Sequence, residues 1–479
     1  MTETRYNLPP EYHIFERNNR SLIFDPRNFI WFVTDSLGKA AFTGLARAGD
    51  ADDAASEVAA FIGGGFDSAA IAEYVSKYID QLLDIGFIHA GEYQEIKWAP
   101  SVMDRPKLLY LHLTSKCNLR CPYCYNQEHR FQLVQLGRNK EEVDQAYEGR
   151  AADFFKVIDE AAALGFNQIK ITGGEALLNK DALSIAERAK SHGMFVNLLT
   201  NAILITEEIA KRIAETVDIV SISLDSSHAC EHDAVRGEGT HAKVLKAIHV
   251  LKEAGVKAVH LNSVVTPVNM DSVEEFLDYA FNDIKANDVT IAGAGMNVDD
   301  PSGRWGAADY MLNGEQFRHI YEQERRFHQI RKQTPTHNHV TPHSLLRRTQ
   351  CGVGNGLVSI ESNGDVFPCQ TMHSPEFLCG NAFREGLENI LQTSGILKTM
   401  KSLQVDILPE CSTCPVRYVC AGGCRKEALS HEGALTARNR LMCPIYFDQA
   451  LDRLWDAATI PVERANEAVD SFETHQSCH

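Results

Sequence analysis

The chain contains no long hydrophobic segment. None of its 479 residues lies in a run approaching the roughly 18 apolar residues that a membrane-spanning helix needs. The beginning of the sequence also lacks the charged and then apolar pattern of a secretory signal. We therefore expect a cytoplasmic protein that makes no membrane contact.

Positive charge is the scarcer sign. Lys and Arg together number 47 against 64 Asp and Glu, which gives a formal charge of −17 at pH 7. This balance disfavours a nucleic-acid groove and is compatible with a neutral or basic peptide partner. The 13 cysteines of a chain without an export signal favour metal or redox chemistry over a disulfide framework. The length allows two or three domains.

Three of these cysteines lie close together in the segment Cys117-Asn-Leu-Arg-Cys121-Pro-Tyr-Cys124. A [4Fe–4S] cluster is normally held by four cysteine thiolates, so a loop that supplies three leaves one iron open to a small molecule. A structural zinc loop is the alternative, but zinc usually takes four protein ligands and no fourth lies nearby in the sequence. The spacing favours an iron–sulfur cluster.

This spacing, with Tyr123 before the third cysteine and the apolar stretch Leu108–Leu113 before the loop, resembles the radical S-adenosylmethionine (SAM) superfamily. The resemblance implies that Cys117, Cys121 and Cys124 are the catalytic cysteines and hold a [4Fe–4S] cluster whose open iron binds SAM. Reductive cleavage of SAM would then supply a 5′-deoxyadenosyl radical. An external low-potential electron donor is implied as well.

Strands and helices alternate over residues 105–335. Strands are predicted at Leu108–Thr114, Gln168–Thr172, Phe195–Thr200, Ile219–Leu224, Val259–Thr266 and Val289–Ala292, and helices at Asp181–His192, Glu207–Thr216, His241–Ala254 and Ser272–Phe281. This order predicts parallel strands with right-handed crossovers. The resemblance implies an α/β fold, the partial (β/α)6 radical SAM barrel, with its chemistry at the carboxyl ends of the strands. The polar stretch Gln127–Arg150 is a mobile lid, a substrate-contacting insertion or a plain solvated loop.

The resemblance also implies SAM contacts where the predicted strands end. The cofactor-binding candidates are Tyr123, Gly173, Gly174, Glu175, Asn201, Ser223, Asp225 and Arg236. Glu175 would accept a hydrogen bond from the SAM ammonium group, and Ala176 stands where the family commonly has proline. Arg236 matches a family arginine that faces the SAM carboxylate. An ordinary surface ion pair is the alternative for Arg236.

Residues 1–100 form a separate unit. The pattern predicts a hairpin of Tyr12–Glu16 and Ser21–Asp25, helices within Asp52–Ile85, and a second pair of short strands around Gly86–His89 and Tyr93–Lys97. This winged-helix-like unit resembles the peptide-recognition domain fused to radical SAM peptide maturases, in which a leader peptide adds a strand to a sheet edge. A dimerisation module or a packing lid is the alternative.

Residues 340–450 are rich in cysteine. The pattern Cys351-x12-Gly364-x4-Cys369, then Cys411-x2-Cys414-x5-Cys420-x3-Cys424, then Cys443 resembles the SPASM domain, which holds two auxiliary clusters. A zinc site is the alternative for the four cysteines between positions 411 and 424. With the first cluster, the resemblance implies three [4Fe–4S] clusters in all. A C-terminal helix and a polar tail follow over residues 451–479.

The resemblance assigns Cys411, Cys414, Cys420 and Cys443 to one auxiliary cluster, and Cys351, Cys369 and Cys424 to the other. Either Cys379 completes the second set, or one iron there is open and could bind a substrate cysteine as its thiolate. Cys230 lies outside all these motifs and is expected to be a small buried residue.

Gln370 follows Cys369 where sulfatase-maturing enzymes have an aspartate proposed as a base. Glutamine cannot act as a base at neutral pH, so formylglycine formation is disfavoured. The overall layout most resembles the quinohemoprotein amine dehydrogenase maturation enzymes, which join cysteine sulfur to carbons of Asp or Glu in a small protein. We therefore expect a thioether-forming peptide maturase. The alternatives are carbon–carbon cross-linking, epimerisation, formylglycine formation, or a non-catalytic iron–sulfur sensor.

Overall fold

The computed structural model describes residues 4–63, 67–97, 107–124, 150–295, 307–332, 347–354 and 356–458. The strands are β1 His13–Arg17, β2 Arg20–Asp25, β3 Ile30–Thr34, β4 Lys107–His112, β5 Phe166–Thr172, β6 Phe195–Thr200, β7 Ile219–Ser223, β8 Val259–Val265, β9 Asp288–Gly293, β10 Leu357–Ile360, β11 Asp365–Phe367 and β12 Gly380–Asn381. They form a sheet of β1 to β3 and a larger sheet of β4 to β12.

The α-helices are Ser36–Ala48, Ala51–Ile62, Ser68–Asp84, Ala151–Ala163, Ala182–Ser191, Glu207–Thr216, Ala229–Arg236, Thr240–Glu253, Val273–Asp278, Gly314–Lys332, Ala382–Glu385, Leu387–Thr393, Gly395–Ser402, Arg417–Cys420, Arg425–Glu432 and Cys443–Ala458. Within the described residues, none of these helices combines the length and the apolar character needed to cross a membrane.

Six parallel strands, β4 to β9, stand side by side in chain order. Each is found within two residues of its predicted span, and β6 and the helix Glu207–Thr216 match their predictions residue for residue. The barrel prediction is confirmed. Because the strands are parallel, their carboxyl ends meet at one edge of the sheet, where the loop that carries Cys117 begins.

Three short strands of the cysteine-rich region extend this barrel sheet, which the sequence pattern did not predict. β10 pairs in parallel with β4, with Ile360 opposite Leu111, and β11 and β12 continue the sheet in antiparallel pairs. The cysteine-rich region is thereby joined to the first barrel strand by backbone hydrogen bonds. Residues that follow β10 and β4 are neighbours at the carboxyl edge.

The N-terminal unit is a three-stranded antiparallel sheet with helices on one face. The β1–β2 hairpin is confirmed, but the second predicted strand pair is wrong, because the third strand is Ile30–Thr34. Phe87 and Ile88 are instead buried against the helices, and His89 forms only an isolated bridge with Asn7. Tyr93 is tethered by its hydroxyl, which donates to Asp25 Oδ2 at 2.8 Å. Residues 86–97 are therefore held by buried apolar side chains and one side-chain hydrogen bond, and not by pairing between two strands.

The central strand β2 of the N-terminal sheet is buried on both faces. Successive side chains of a strand point to opposite faces, so Ile23 packs against the helices of its own domain while Leu22 and Phe24 pack against the cysteine-rich domain. The apolar side chains around Leu22 and Phe24 include Trp455 of the last helix, and Cys420 packs against them. β2 is thus enclosed between the helices of its own domain and the cysteine-rich domain, whereas Ile14 of β1 is 38% exposed.

One prediction about a single cysteine is wrong, and two predicted segments lie outside the described residues. Cys230 was expected to be buried but is exposed, because the buried face of its helix is taken by His232, Val235 and Arg236. The polar stretch 127–150 lies outside the described residues except for its last residue, and the tail after Ala458 lies outside them as well.

Candidate active site and cluster sites

A glycine turn holds the loop that follows β4. The Gly174 amide donates to the Thr114 carbonyl at 2.7 Å, and the Glu175 amide donates to the Lys116 carbonyl at 2.8 Å. A Cβ atom on Gly174 would lie 2.1 Å from the Lys116 oxygen, and one on Gly173 would lie 2.5 Å from the Thr114 oxygen. Glycine is needed at both positions because the two backbones approach this closely. The β5 turn therefore fixes the loop that carries the three cysteines.

The three thiols of this loop share one partly buried environment. Burial raises the pKa of Cys121 to about 11, Arg236 lowers it, and the neighbouring Cys124 and Cys117 raise it further. The Leu119 amide donates to Cys117 Sγ at 3.4 Å. A soft metal would bind such a group of thiols as thiolates. The three-thiol donor set fits an iron–sulfur cluster with one open iron.

Glu175 bridges the ends of two barrel strands. Its buried carboxylate accepts hydrogen bonds from Thr200 Oγ1 at 2.7 Å, from the Asn201 amide at 2.8 Å and from the Leu177 amide at 3.1 Å. Burial raises the pKa of Glu175, although these hydrogen bonds act in the opposite direction. Since a carboxylate has about four lone-pair sites, roughly one acceptor position remains. That position suits a cationic donor such as an ammonium group.

Asp225, Arg236 and Tyr123 form a buried polar group behind the cysteine loop. Arg236 donates to both Asp225 oxygens, from Nε at 2.6 Å and from Nη2 at 2.9 Å, and the Tyr123 hydroxyl donates to the same carboxylate. The Arg236 guanidinium carbon also lies 5.6 Å from the centre of the Tyr123 ring. Burial alone would raise the pKa of Asp225, but the charge and hydrogen bonds of Arg236 lower it below its ordinary value.

The burial of Arg236 excludes the surface ion pair, while its contact with the SAM carboxylate stays a proposal. The side chain of Arg236 is only 8% exposed, so it does not form a surface ion pair. Its Nη1 is the guanidinium nitrogen that takes no part in the bidentate pair with Asp225. Arg236 is therefore held in a fixed orientation by Asp225, which is what recognition of a second carboxylate requires.

Asn201 connects the end of β6 to the cysteine loop. Its Nδ2 donates to Asn118 Oδ1 at 2.7 Å and lies 4.0 Å from Cys117 Sγ. Ser223 is half-buried at the end of β7. Six of the residues predicted to contact SAM thus lie at the carboxyl ends of neighbouring strands, namely Gly173, Gly174, Glu175, Asn201, Ser223 and Asp225. Tyr123 lies in the cysteine loop, and Arg236 ends the helix Ala229–Arg236. The contact through Asn118 had no signal in the sequence reasoning.

The first auxiliary set is gathered in one place. Burial raises the pKa of Cys411, Cys414 and Cys420, to about 11 for Cys420, and the neighbouring thiols of the set, including Cys443, raise each further. Arg438 Nε donates to Cys443 Sγ at 2.9 Å, a contact that sequence reasoning missed. Because Cys443 raises the pKa of the other three thiols, the four lie close enough to fit a closed [4Fe–4S] site. The positive charge of Arg438 would favour the more negative, reduced state of a cluster bound there.

The second auxiliary set contains three thiols that influence one another. Burial raises the pKa of Cys424, and Glu427, Cys369 and Cys351 add to that effect. The Cys369 thiol donates to Gln370 Oε1 at 3.1 Å, so the glutamine lies directly beside it.

Cys379 has different surroundings. Its thiol donates to the Phe377 carbonyl at 3.4 Å, and the residue packs against the apolar core of the barrel. Burial raises the pKa of Cys379 to about 11, and a hydrogen bond with Ser394 lowers it. The pKa of Cys369, in contrast, is raised by Cys351 in addition to burial. The structure brings Cys351, Cys369 and Cys424 together and leaves Cys379 with the core.

Comparison with protein-family models identifies two parts of the chain. Residues 111–280 match the model of the radical SAM superfamily, and residues 351–415 match that of SPASM, an iron–sulfur cluster-binding domain. The chain carries a radical SAM domain and a SPASM domain. These domains imply SAM, a radical SAM [4Fe–4S] cluster and auxiliary clusters, and the cysteine sets described above fit that complement. The resemblance inferred from the cysteine spacing is confirmed.

Two curated relatives of this chain are named as a maturase and a peptide cyclase. The mycofactocin maturase MftC of Mycolicibacterium smegmatis is 27% identical over 340 residues, 67% of this chain and 79% of MftC. The PqqA peptide cyclase of Granulibacter bethesdensis is 28% identical over 344 residues, 70% of this chain and 86% of the cyclase.

A solved structure extends the likeness to the N-terminal domain. Streptococcus suis SuiB bound to S-adenosylmethionine matches with a TM-score of 0.55 and 15% identity, over 91% of this chain and 99% of SuiB. SuiB has also been solved bound to its precursor peptide SuiA. At this identity the match shows a shared fold, and it covers nearly the whole chain.

Proposed function

We propose that this radical SAM protein is a peptide maturase that joins the sulfur of a substrate cysteine to a carbon of another residue, Asp or Glu, within a small protein. The relatives support peptide modification in general, since they are named as a maturase and a peptide cyclase. Neither name specifies a thioether, and the similarity to quinohemoprotein amine dehydrogenase maturation enzymes stays a prediction. A cytoplasmic location is part of the same proposal.

The observation that carries the thioether is the three-thiol set of Cys351, Cys369 and Cys424. Three protein thiols leave one position of a [4Fe–4S] cluster for a ligand from outside. A substrate cysteine has the matching donor atom, and a thiol bound to a metal is deprotonated. Cys379 donates its thiol to the Phe377 carbonyl and packs against the apolar core, and we infer from these contacts that it does not complete the set. A site of this kind would hold the substrate sulfur as a nucleophile, and the electron released when the thiolate joins the substrate carbon radical would pass to an auxiliary cluster.

The residues around the loop of Cys117, Cys121 and Cys124 are proposed to bind SAM. When bound, SAM and the cluster of Cys117, Cys121 and Cys124 supply a 5′-deoxyadenosyl radical that removes a hydrogen atom from the substrate. Glu175 has an acceptor position for the ammonium group of SAM. Arg236, fixed by Asp225, has Nη1 for its carboxylate. These residues orient SAM, and the buried setting limits reaction with water.

The N-terminal domain is proposed to bind the substrate peptide. Among the described strands, β1 and β3 each pair with β2 alone, so the sheet has two edges at which a peptide strand could add. Adding the substrate peptide should slow amide hydrogen exchange in one edge strand, His13–Arg17 or Ile30–Thr34, while β6 in the barrel stays unchanged as an internal control. Unchanged exchange in both edge strands at saturating peptide would remove this part of the proposal.

Formylglycine formation remains disfavoured. Gln370 accepts a hydrogen bond from the Cys369 thiol, and an amide cannot take a proton from substrate at neutral pH. Peptide cyclisation through other bonds is the second candidate function, because one relative is named a peptide cyclase. The mass of the product and its fragments separate the two candidates.

The test uses anaerobically reconstituted protein with SAM, a low-potential reductant and the cysteine-bearing peptide encoded beside this chain. We expect 5′-deoxyadenosine, loss of two hydrogens per cross-link, and fragments that link cysteine sulfur to the carbon of another residue. Alkylating the peptide thiol beforehand should abolish the product if sulfur is joined. A product that still forms from alkylated peptide indicates a bond of another type. Absence of deoxyadenosine from cluster-loaded protein contradicts radical SAM chemistry and leaves the iron–sulfur sensor.

A further inference from the structure

Two histidines and a glutamate meet at the seam between the barrel and the SPASM domain. The residues are His112, Glu361 and His373, and one potential ligand atom from each lies within 4.8 Å of the other two. We propose that these three residues bind one divalent first-row cation, with zinc(II) as the reference ion. The site uses none of the cysteines and is independent of the proposed thioether chemistry.

The backbone brings the first two ligands together. β4 and β10 run in parallel with Leu111 opposite Ile360, so the next residues, His112 and Glu361, are neighbours at the carboxyl edge of the sheet. His112 is the last residue of its strand and lies five residues before Cys117. A pair fixed by strand register is held more rigidly than one carried on loops.

His373 completes the group from the SPASM side. Its Nδ1 contacts Glu361 Oε1, and its ring centre lies 4.7 Å from that of His112. The ring of Phe367 stacks on the same imidazole, with centres again 4.7 Å apart. The His373 ring therefore contacts side chains of both β4 and β11.

The donor set suits a borderline metal ion. Two imidazoles and one carboxylate are the ligands of many three-residue zinc sites, which keep a fourth position for water or substrate, and the same set holds non-haem iron(II). Bonds of about 2.0–2.1 Å in a tetrahedron place the ligand atoms roughly 3.3 Å apart. Since the observed ligand atoms lie within 4.8 Å of one another, each separation would have to change by no more than about 1.5 Å to reach this geometry.

Burial and a further hydrogen bond support the assignment. His112 is 1% exposed, Glu361 is 4% exposed, and the side chain of His373 is 7% exposed. A buried carboxylate is costly unless a positive charge compensates it, and a divalent cation supplies that charge. His373 Nε2 also lies 2.8 Å from Ser359 Oγ. Metal-binding histidines usually make such a hydrogen bond with the second ring nitrogen.

The first experiment measures zinc in the wild-type holoprotein. Protein with fully loaded clusters is equilibrated with zinc, passed over a chelating resin and analysed for zinc and iron, with no SAM or peptide present. We expect one zinc per chain, and X-ray absorption at the zinc edge should show only nitrogen and oxygen neighbours near about 2.0 Å. Less than a tenth of an equivalent of zinc overturns the proposal. A sulfur shell near about 2.3 Å also overturns it, because the zinc would then lie in a cysteine site.

The second experiment removes single ligands. Glu361→Gln and His373→Gln keep most of the side-chain volume and the ability to hydrogen-bond, and each should weaken zinc binding by at least ~10-fold. His319→Gln is the matched control, since His319 pairs with Asp271 at 2.9 Å on the exposed surface. Iron content and melting temperature establish that each variant is folded. Zinc affinity that is unchanged in both ligand variants means that the three residues form only a hydrogen-bonded network, and the proposal fails.

Discussion

Arg417 of the cysteine-rich region and Glu11 of the N-terminal domain form a bidentate ion pair, with Nη1–Oε1 at 2.7 Å and Nη2–Oε2 at 2.8 Å. The Arg417 amide donates to the Cys414 carbonyl at 3.1 Å, so the pair is attached directly to a loop of the first auxiliary set. Trp31 Nε1 adds a hydrogen bond to the Leu454 carbonyl at 3.1 Å. The N-terminal domain is therefore fixed beside the cysteines rather than tethered at a distance.

Replacing Glu11 with Gln should loosen this docking. The Arg417 side chain is 6% exposed and would lose its counter-charge, while Glu11 is 25% exposed. We expect a loss of about 1–3 kcal/mol in local stability, less than for a fully buried pair. The loss of local stability should appear as faster amide hydrogen exchange in Arg20–Asp25. Glu73→Gln is the control, because its pair with Lys77 is exposed on both sides and should leave this exchange unchanged.

The same pair predicts a pH dependence. Hydrogen bonds from Arg417, opposed by burial, lower the pKa of Glu11 from 4.5 to about 2. Since the folded-state pKa lies below the unfolded value, the stabilisation is complete above about pH 5 and is lost as the pH falls towards 2. The stability difference between wild type and Glu11→Gln should therefore be constant near neutrality and shrink below about pH 4.5. A difference that grows on acidification would contradict this assignment.

Gly174→Ala should displace the radical SAM cysteine loop. The added Cβ would lie 2.1 Å from the Lys116 carbonyl oxygen, so one of the two backbones must move. Overpacking of this kind costs about 1–3 kcal/mol or more. Because the displaced loop carries the three cysteines, we expect SAM binding and deoxyadenosine formation to fall at least ~10-fold, which corresponds to about 1.4 kcal/mol. Gly395→Ala, where the new Cβ meets open space, should leave both unchanged.

Cys379→Ser and Cys424→Ser should differ in iron content. Cys424 lies with Cys369 and Cys351, so its loss should reduce the iron by about four atoms per chain. Cys379 packs against the barrel core, and its replacement should leave the iron content and the cluster EPR signals unchanged. Equal loss of iron in both variants would make Cys379 the fourth ligand and would leave no open position for a substrate thiolate.

Asp225→Asn should weaken SAM binding more than Tyr123→Phe. Removing the carboxylate charge leaves Arg236 buried without its partner, at a cost of about 3–5 kcal/mol. Removing the Tyr123 hydroxyl deletes one hydrogen bond to the same carboxylate, at about 1–2 kcal/mol. Equilibrium dialysis of SAM, with melting temperatures as the control for folding, measures both. A larger effect of Tyr123→Phe would show that Asp225 does not orient Arg236.

The sequence by itself determined the features that depend on nearby residues. The spacing of Cys117, Cys121 and Cys124 on one short loop identified the radical SAM site, and apolar patterns placed the six barrel strands within two residues. The hairpin of β1 and β2 was predicted for the same reason, since its strands are adjacent in the chain. Local periodicity and short-range cysteine spacing carry this information without knowledge of the rest of the fold.

The tertiary structure decided the relations between distant segments. It placed β10 beside β4, although about 250 residues separate them, and it docked Glu11 onto Arg417. It paired Arg236 with Asp225 inside the barrel, where the sequence had left a surface ion pair open. These outcomes depend on long-range packing and on the desolvation of charged groups, and neither leaves a local pattern in the sequence.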